Sequence, residues 1–254
     1  MGARFLASLL FACALILSPA AVSADDSLTG DQILLRAREA AGGDEWANAR
    51  TLILSGRAVF YGTNSHAPTS SPDSYTMWRV FDPNRQAAHG AEGKVRITIK
   101  NGGKLFMDVG FNGADTWNEK GVIPKEQADI FWASNFGFGI IRHAGKSGFA
   151  AQRLPDDAVD GHPSYMVELT DPTGTKSLFG VDKGNFAIRM VGFKTPKGWH
   201  VRTYQDFIML EKPRWLQARH VTLYYDGRKA NEVFWTGYQV NPEIDPALFD
   251  PPKR

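Results

Sequence analysis

The stretch Asn241-Pro242-Glu243-Ile244-Asp245-Pro246-Ala247-Leu248-Phe249-Asp250-Pro251-Pro252 stands two residues before the last of the sequence, and what runs into it decides the fold. Arg219–Tyr225 and Ala230–Val240 read as two strands around Asp226-Gly227, a dipeptide suited to a tight hairpin turn. Proline lacks the N–H that a ladder needs, so the prolines of the tail end the last strand. With Phe249 they are expected to cover the edge of a sheet. Apolar residues occupy both faces of Ala230–Val240. That leaves the register of the hairpin open and points to a sheet covered on both sides.

The same grammar repeats upstream. Tyr165–Thr170 and Lys176–Val181 flank Asp171-Pro172-Thr173-Gly174, whose Asp, Pro and Gly fall where a type I turn favours them. Lys183-Gly184-Asn185 turns into Phe186–Phe193, and Trp199–Phe207 is a further strand. Lys94–Val109 reads as a hairpin with a three-residue loop, Asn101-Gly102-Gly103. This sets Ile99 opposite Leu105, Ile97 opposite Met107, Val95 opposite Val109 and Arg96 opposite Asp108. A two-residue loop is rejected because a one-residue slip would turn Lys104 inward. Leu52, Leu54, Gly56, Ala58 and Phe60 alternate with polar residues, and Tyr75–Phe81 is a strand beyond the polar loop Gly62–Ser74.

Two segments depart from the strand pattern. Thr29-Gly30-Asp31-Gln32 has the form of a capping box. Ile33, Leu34, Ala37, Ala40 and Ala41 then share one helical face before Gly42-Gly43 stops the helix. Mid-chain, Pro124-Lys125-Glu126-Gln127-Ala128-Asp129 opens like a helix with Pro and acid in its first turn. It leads into Phe131, Trp132, Phe136, Phe138, Ile140 and Ile141, interrupted by Gly137 and Gly139. One reading is core packing on the sheet. The other is a lid over an apolar cavity, since each glycine costs a packed helix about 1 kcal/mol yet suits a segment that bends.

The ends and the composition set the compartment. Arg4, the apolar run Phe5–Leu17 and the small residues of Val22-Ser23-Ala24 form a secretory signal, with cleavage expected before Asp25. The run is too short to span a bilayer, which takes about 20 residues. Leu10-Phe11-Ala12-Cys13 loosely matches a lipidation box. Phe11 is bulky where that box takes a small residue, and cleavage there would leave Ala14–Leu17 exposed, so a soluble exported form is expected. Cys13 is the only cysteine, so residues 25–254 hold no disulfide, and with no repeat and no linker among them they are expected to form one domain. A net charge of +2, reduced by one when Arg4 leaves, argues against a nucleic-acid binder.

No motif names a reaction. Gly145-Lys146-Ser147 lacks the first glycine of a phosphate-binding loop, because position 140 is Ile. Gly137-Phe138-Gly139 lacks a third glycine, position 142 being Arg. His66, His89, His143, His162, His200 and His220 are scattered without ligand spacing, so no metal and no cofactor are expected. There is no Gly-x-Ser-x-Gly elbow, and no catalytic residue is assigned.

Several segments together resemble the superfamily of periplasmic lipoprotein carriers related to LolA, LolB and RseB. Gln32–Gly43 followed by Asp44–Leu54 resembles its helix, Gly-Gly, short helix and first strand. Asn112-Gly113-Ala114-Asp115-Thr116-Trp117 resembles its Asn-Gly…Trp strand end. Gly161–Met190 resembles its Gly-x-x-x-Tyr…Asp-x-x-Gly…Asp-x-x-x-Gly pattern, departing at Asn185 and Phe186, and the tail completes the likeness. The resemblance implies a mainly β, α+β fold: a strongly curved antiparallel sheet, an unclosed barrel, with an N-terminal helix and a mid-chain helical lid. It implies a periplasmic, non-catalytic binding protein that holds a lipid or acylated ligand between sheet and lid. Phe131, Trp132, Phe136, Phe138, Ile140 and Ile141 are the candidate lid, and Met77, Phe106 and Trp117 the candidate sheet wall. An RseB-like envelope sensor that binds a partner protein is the first alternative. A hydrolase assembled in space, marked by a histidine beside two carboxylates in a cleft, is the second.

Overall fold

The computed structural model describes residues 27–62, 67–133 and 138–252. The signal segment, Phe136 and the side chain of Phe138 lie outside them. Thr29 caps the first helix, α1 (Gly30–Ala41), through the expected box: its Oγ1 accepts from the Gln32 N–H while Gln32 Oε1 accepts from its own N–H. Gly42, at φ 133°, ends α1 and starts α2 (Gly43–Ala47). A Cβ there would stand 2.2 Å from the Arg214 carbonyl oxygen, so only glycine fits.

The remaining strands and helices make two runs. The first holds β1 (Thr51–Tyr61), β2 (Pro68–Ser70), β3 (Ser74–Val80), β4 (Lys94–Asn101), β5 (Lys104–Phe111), β6 (Thr116–Asn118) and β7 (Gly121–Val122). Then come α3 (Lys125–Ala133) and a 3-10 segment, Phe138–His143. The second run holds β8 (Ala150–Val159), β9 (His162–Thr170), β10 (Lys176–Asp182), β11 (Ile188–Thr195), β12 (Gly198–Glu211), β13 (Arg214–Tyr225) and β14 (Arg228–Val240). A last 3-10 turn spans Pro246–Phe249.

All strands belong to one antiparallel sheet, in the order β7-β6-β5-β4-β3-β1-β14-β13-β12-β11-β10-β9-β8, with β2 alongside β1. Each run is a meander of neighbours, and β1 with β14 is the one pairing that joins them. The sheet curves strongly and does not close, because β7 and β8 are its two ends. Edge strand β8 carries Pro155 and a register shift between Leu154 and Asp157, both of which blunt it as a template for further pairing.

Helix α1 lays Ile33, Leu34, Ala37 and Ala41 on the inner face of the sheet, against a core that includes Val167, Leu169, Phe179, Val181 and Phe193. Ile140 and Ile141 belong to the same core. Helix α3 covers a second inner cluster, in which Ala128 and Trp132 pack with Val95, Ile97, Ile99 and Val109.

The turn after β9 is as expected: the Gly174 N–H bonds the Asp171 carbonyl at 2.9 Å, and Thr170 faces Lys176. Two expectations need correction. The β4–β5 hairpin has a two-residue loop, Gly102-Gly103, with Asn101 opposite Lys104. A register shift between Ile99 and Lys100 then sets Ile99 opposite Met107, Ile97 opposite Val109 and Val95 opposite Phe111. The bulge restores the apolar face that a bare slip would have destroyed, so the two-residue loop carries no penalty. Asp108 stands opposite Thr98, and Arg96 reaches it diagonally, with Nη2–Oδ2 at 2.7 Å and Nε–Oδ1 at 3.0 Å.

The second correction concerns the tail. It crosses the outer face of β4 and β6 rather than lying beside β14. Asn241 Oδ1 accepts from the Arg50 N–H and the Pro242 carbonyl from Thr51 Oγ1, both at 2.7 Å. The Leu248 carbonyl accepts from Arg96 Nη1, and the Phe249 carbonyl accepts from Trp117 Nε1 at 2.7 Å. On the outer face of β14, Phe234 is covered by side chains: His220 stacks on it and Arg57 lies 4.0 Å from its ring centre.

Candidate functional site

Strands rich in large apolar residues curve around a cavity of about 220 Å³. Period-two alternation turns Leu52 and Leu54 of β1, Tyr75 and Met77 of β3, and Val233 and Trp235 of β14 inward to line it. Strands β12 and β13 add Tyr204, Phe207, Trp215 and Val221. The helical side contributes Ala41, Trp46, Gly139 and Arg142. The cavity therefore lies between the sheet and the helical elements, and the mid-chain segment reaches it through Gly139 and Arg142.

The candidate residues fall in different places. Met77 lines the cavity. Ile140 and Ile141 belong to the main core and do not line the cavity. Trp132 of α3 is buried and donates from Nε1 to Thr116 Oγ1 at 2.7 Å, with Phe131 edge-on to it. Trp117 lies over Gly110 on the outer face, tied to the tail. Phe106 is half exposed near the β4–β5 turn and stacks on Phe60. The structure thus puts Met77 on the cavity wall and Ile140 and Ile141 in the main core, while Phe131, Trp132, Phe106 and Trp117 do not line the cavity.

The cavity also has a polar side that the sequence reading passed over. Arg79, Arg142 and Arg202 line it. Glu92, almost fully buried, accepts from Arg79 Nη2 at 2.9 Å and is ion-paired with Arg85 Nη1. Burial alone would raise the Glu92 carboxyl; the guanidinium groups of Arg79 and Arg85, with Arg142 further off, outweigh it and hold the group below its ordinary value. A Cβ on Gly139 would stand 2.8 Å from Arg85 Nη1 and 2.9 Å from Glu92 Oε2. This glycine lets the ion pair seat against the 3-10 backbone.

Arg142 lies among aromatic rings. Its guanidinium carbon is 3.9 Å from the ring centre of Phe81, 5.0 Å from that of Trp215 and 5.1 Å from that of Trp46. Its Nη2 is buried and makes no hydrogen bond. Burial lowers its pKa to about 9, which leaves it charged at neutral pH. Burial likewise pushes His143 down to about 4 and His200 down to about 2, so both are neutral there. It also raises Tyr75 and Tyr204 to about 12.

On the outer face, His220 Nε2 lies 3.1 Å from Glu232 Oε1, and Tyr61 donates to the other oxygen of the same carboxylate. This histidine meets one carboxylate, not two, and lies away from the cavity. Among the described residues, no group of three or more His, Cys, Asp or Glu side chains is placed to hold a metal ion. No helix among them is long and apolar enough to cross a membrane.

Comparison with solved structures identifies the fold as LolA-like. A LolA superfamily protein from Nitrosomonas europaea superposes with a TM-score of 0.53 at 14% identity, over 88% of this chain and 98% of that one. A putative outer membrane lipoprotein-sorting protein domain from Vibrio parahaemolyticus gives 0.52 at 13%, over 87% and 96%. A DUF1329 family protein from Desulfovibrio piger gives 0.51 at 9%, over 87% and 95%. No protein-family model and no curated protein sequence matches the chain.

Proposed function

We propose that this protein is an exported, non-catalytic carrier for a lipid or lipid-modified ligand, held in the cavity between the curved sheet and the helices. The observation that carries the reading is the cavity itself, lined by Leu54, Met77, Val221, Val233 and Trp235 and roofed by helical elements. Apolar pockets with a few convergent polar groups are the usual form of small-molecule sites. Each methylene removed from water there contributes about 0.8 kcal/mol. At about 220 Å³ the cavity falls below the roughly 300–1,000 Å³ of drug-sized pockets, which suits a single chain. The likeness to a lipoprotein-sorting domain and to a LolA superfamily protein supports the reading at the level of fold.

Native purification from the periplasm, organic extraction and mass spectrometry test it. The expected result is a co-purifying acyl species, present in the parent and depleted when Val233→Arg fills the cavity with a charge. Extracts with no acyl species, together with no binding of added aliphatic probes, would sink the reading.

A further inference from the structure

We propose that the cavity takes an amphiphile with an anionic head, a carboxylate or a phosphate monoester, and that Arg142 receives that head. The inference rests on the reading of the cavity as a ligand site and adds the chemistry of the ligand's polar end. Arg142 is 6% exposed, lines the cavity and has an Nη2 that no acceptor satisfies. Three aromatic rings surround its guanidinium and supply no hydrogen-bond acceptor. Native proteins pair nearly all buried polar side-chain atoms, so an orphaned charged donor on a residue that lines a cavity marks a missing partner.

Local charge gives that partner its sign. The carboxylate that acts on Arg142 is Glu92, and Glu92 already serves Arg79 and Arg85. Arg79 and Arg202 line the same cavity as Arg142. The charges that act on Arg142 are thus the Arg79 guanidinium and a carboxylate shared with Arg79 and Arg85, and a cationic head would be repelled. Arg142 remains a cation at neutral pH even in this burial. A guanidinium presents a planar fork of donors that matches two oxygens of a carboxylate or phosphate. Across the cavity Leu54, Ile97, Val221 and Val233 offer the apolar surface that an aliphatic chain needs.

The test is a calorimetric titration of delipidated protein with dodecanoate, dodecyl phosphate and dodecanol, each below its critical micelle concentration. All three share the chain and differ in the head. The expected result is that one or both anions bind about tenfold or more tighter than dodecanol, and the stronger of the two identifies the head. In Arg142→Met the ratio of anion to alcohol affinity falls toward one, and Arg142→Lys, which keeps the charge, retains part of it. Melting curves verify that each variant is folded. Equal affinity of the parent for all three probes overturns the anionic head while leaving the carrier reading intact. Failure of every probe, dodecanol included, overturns the carrier reading itself. An unchanged ratio in a folded Arg142→Met removes Arg142 from the site.

Discussion

Glu92 is the residue on which the polar side of the cavity balances. Glu92→Gln leaves Arg79 and Arg85 buried against a neutral amide, and breaking a buried pair from one side costs about 3–5 kcal/mol. Urea unfolding of the variant should show that loss as a lower midpoint. The pH dependence follows from the same group. Its folded pKa lies below the unfolded 4.5, so the stability conferred by ionised Glu92 is fully present above that pH and is lost as pH falls through the folded value. The melting temperature of the parent should therefore fall more steeply below pH 4.5 than that of Glu92→Gln. Parts of this site were legible. Arg79 follows Tyr75 and Met77 at period two and so shares their inward face, and Arg202 stands in the same relation to Tyr204. Arg142 directly follows Ile141 at the end of the apolar segment Phe131–Ile141, a position that is itself a signal. Glu92 was not legible. It sits outside any strand, and only the tertiary fold brings it to Arg79 and Arg85.

At the scale of elements, local pattern told most where the chain closes on itself over a few residues. The capping box of α1 and the Asp171–Gly174 turn satisfy their own hydrogen bonds, so their residues specify them without help. The β4–β5 loop is one residue shorter than the alternation predicts, because a bulge, which leaves no mark in the alternation, absorbs the slip. Gly139 suits bending by sequence, but the structure gives it a packing reason: the Arg85–Glu92 pair lies where a side chain would be. Gly139→Ala is thus predicted to destabilise by about 1–3 kcal/mol, although alanine favours helical backbone. A melting temperature at or above that of the parent would contradict the close approach. The aromatic residues of 131–132 could not be assigned to core or cavity from sequence, since both demand the same apolar surface. The structure buries Trp132 between α3, its own helix, and the sheet, with a hydrogen bond to Thr116.

For the whole molecule, the sequence carried the fold class through its regular strand-and-turn spacing, whereas the strand order depended on a pairing that spacing does not reveal. Local hairpins build the arm from β1 to β7 and the arm from β8 to β14, but Leu52 meets Val240 and Phe60 meets Asn231 across nearly the whole chain. Long-range pairing is slow because loop closure must precede any contact that rewards it. Stopped-flow refolding of residues 25–254 should resolve a fast phase for the arms and a slower phase for their union. Ser55→Pro, which removes an N–H from β1 beside its register shift with β14, should slow the second phase more than the first. The tail then acts after the seam, since Asn241 and Pro242 bond Arg50 and Thr51 only once β14 lies beside β1. Read in the order of synthesis, the first strand made waits for the last one. Until the final residues emerge, β1 offers an unpaired edge and the cavity lacks the wall that β14 supplies. A half-made chain of this kind is an open ribbon with exposed apolar surface, the form in which chains are prone to associate.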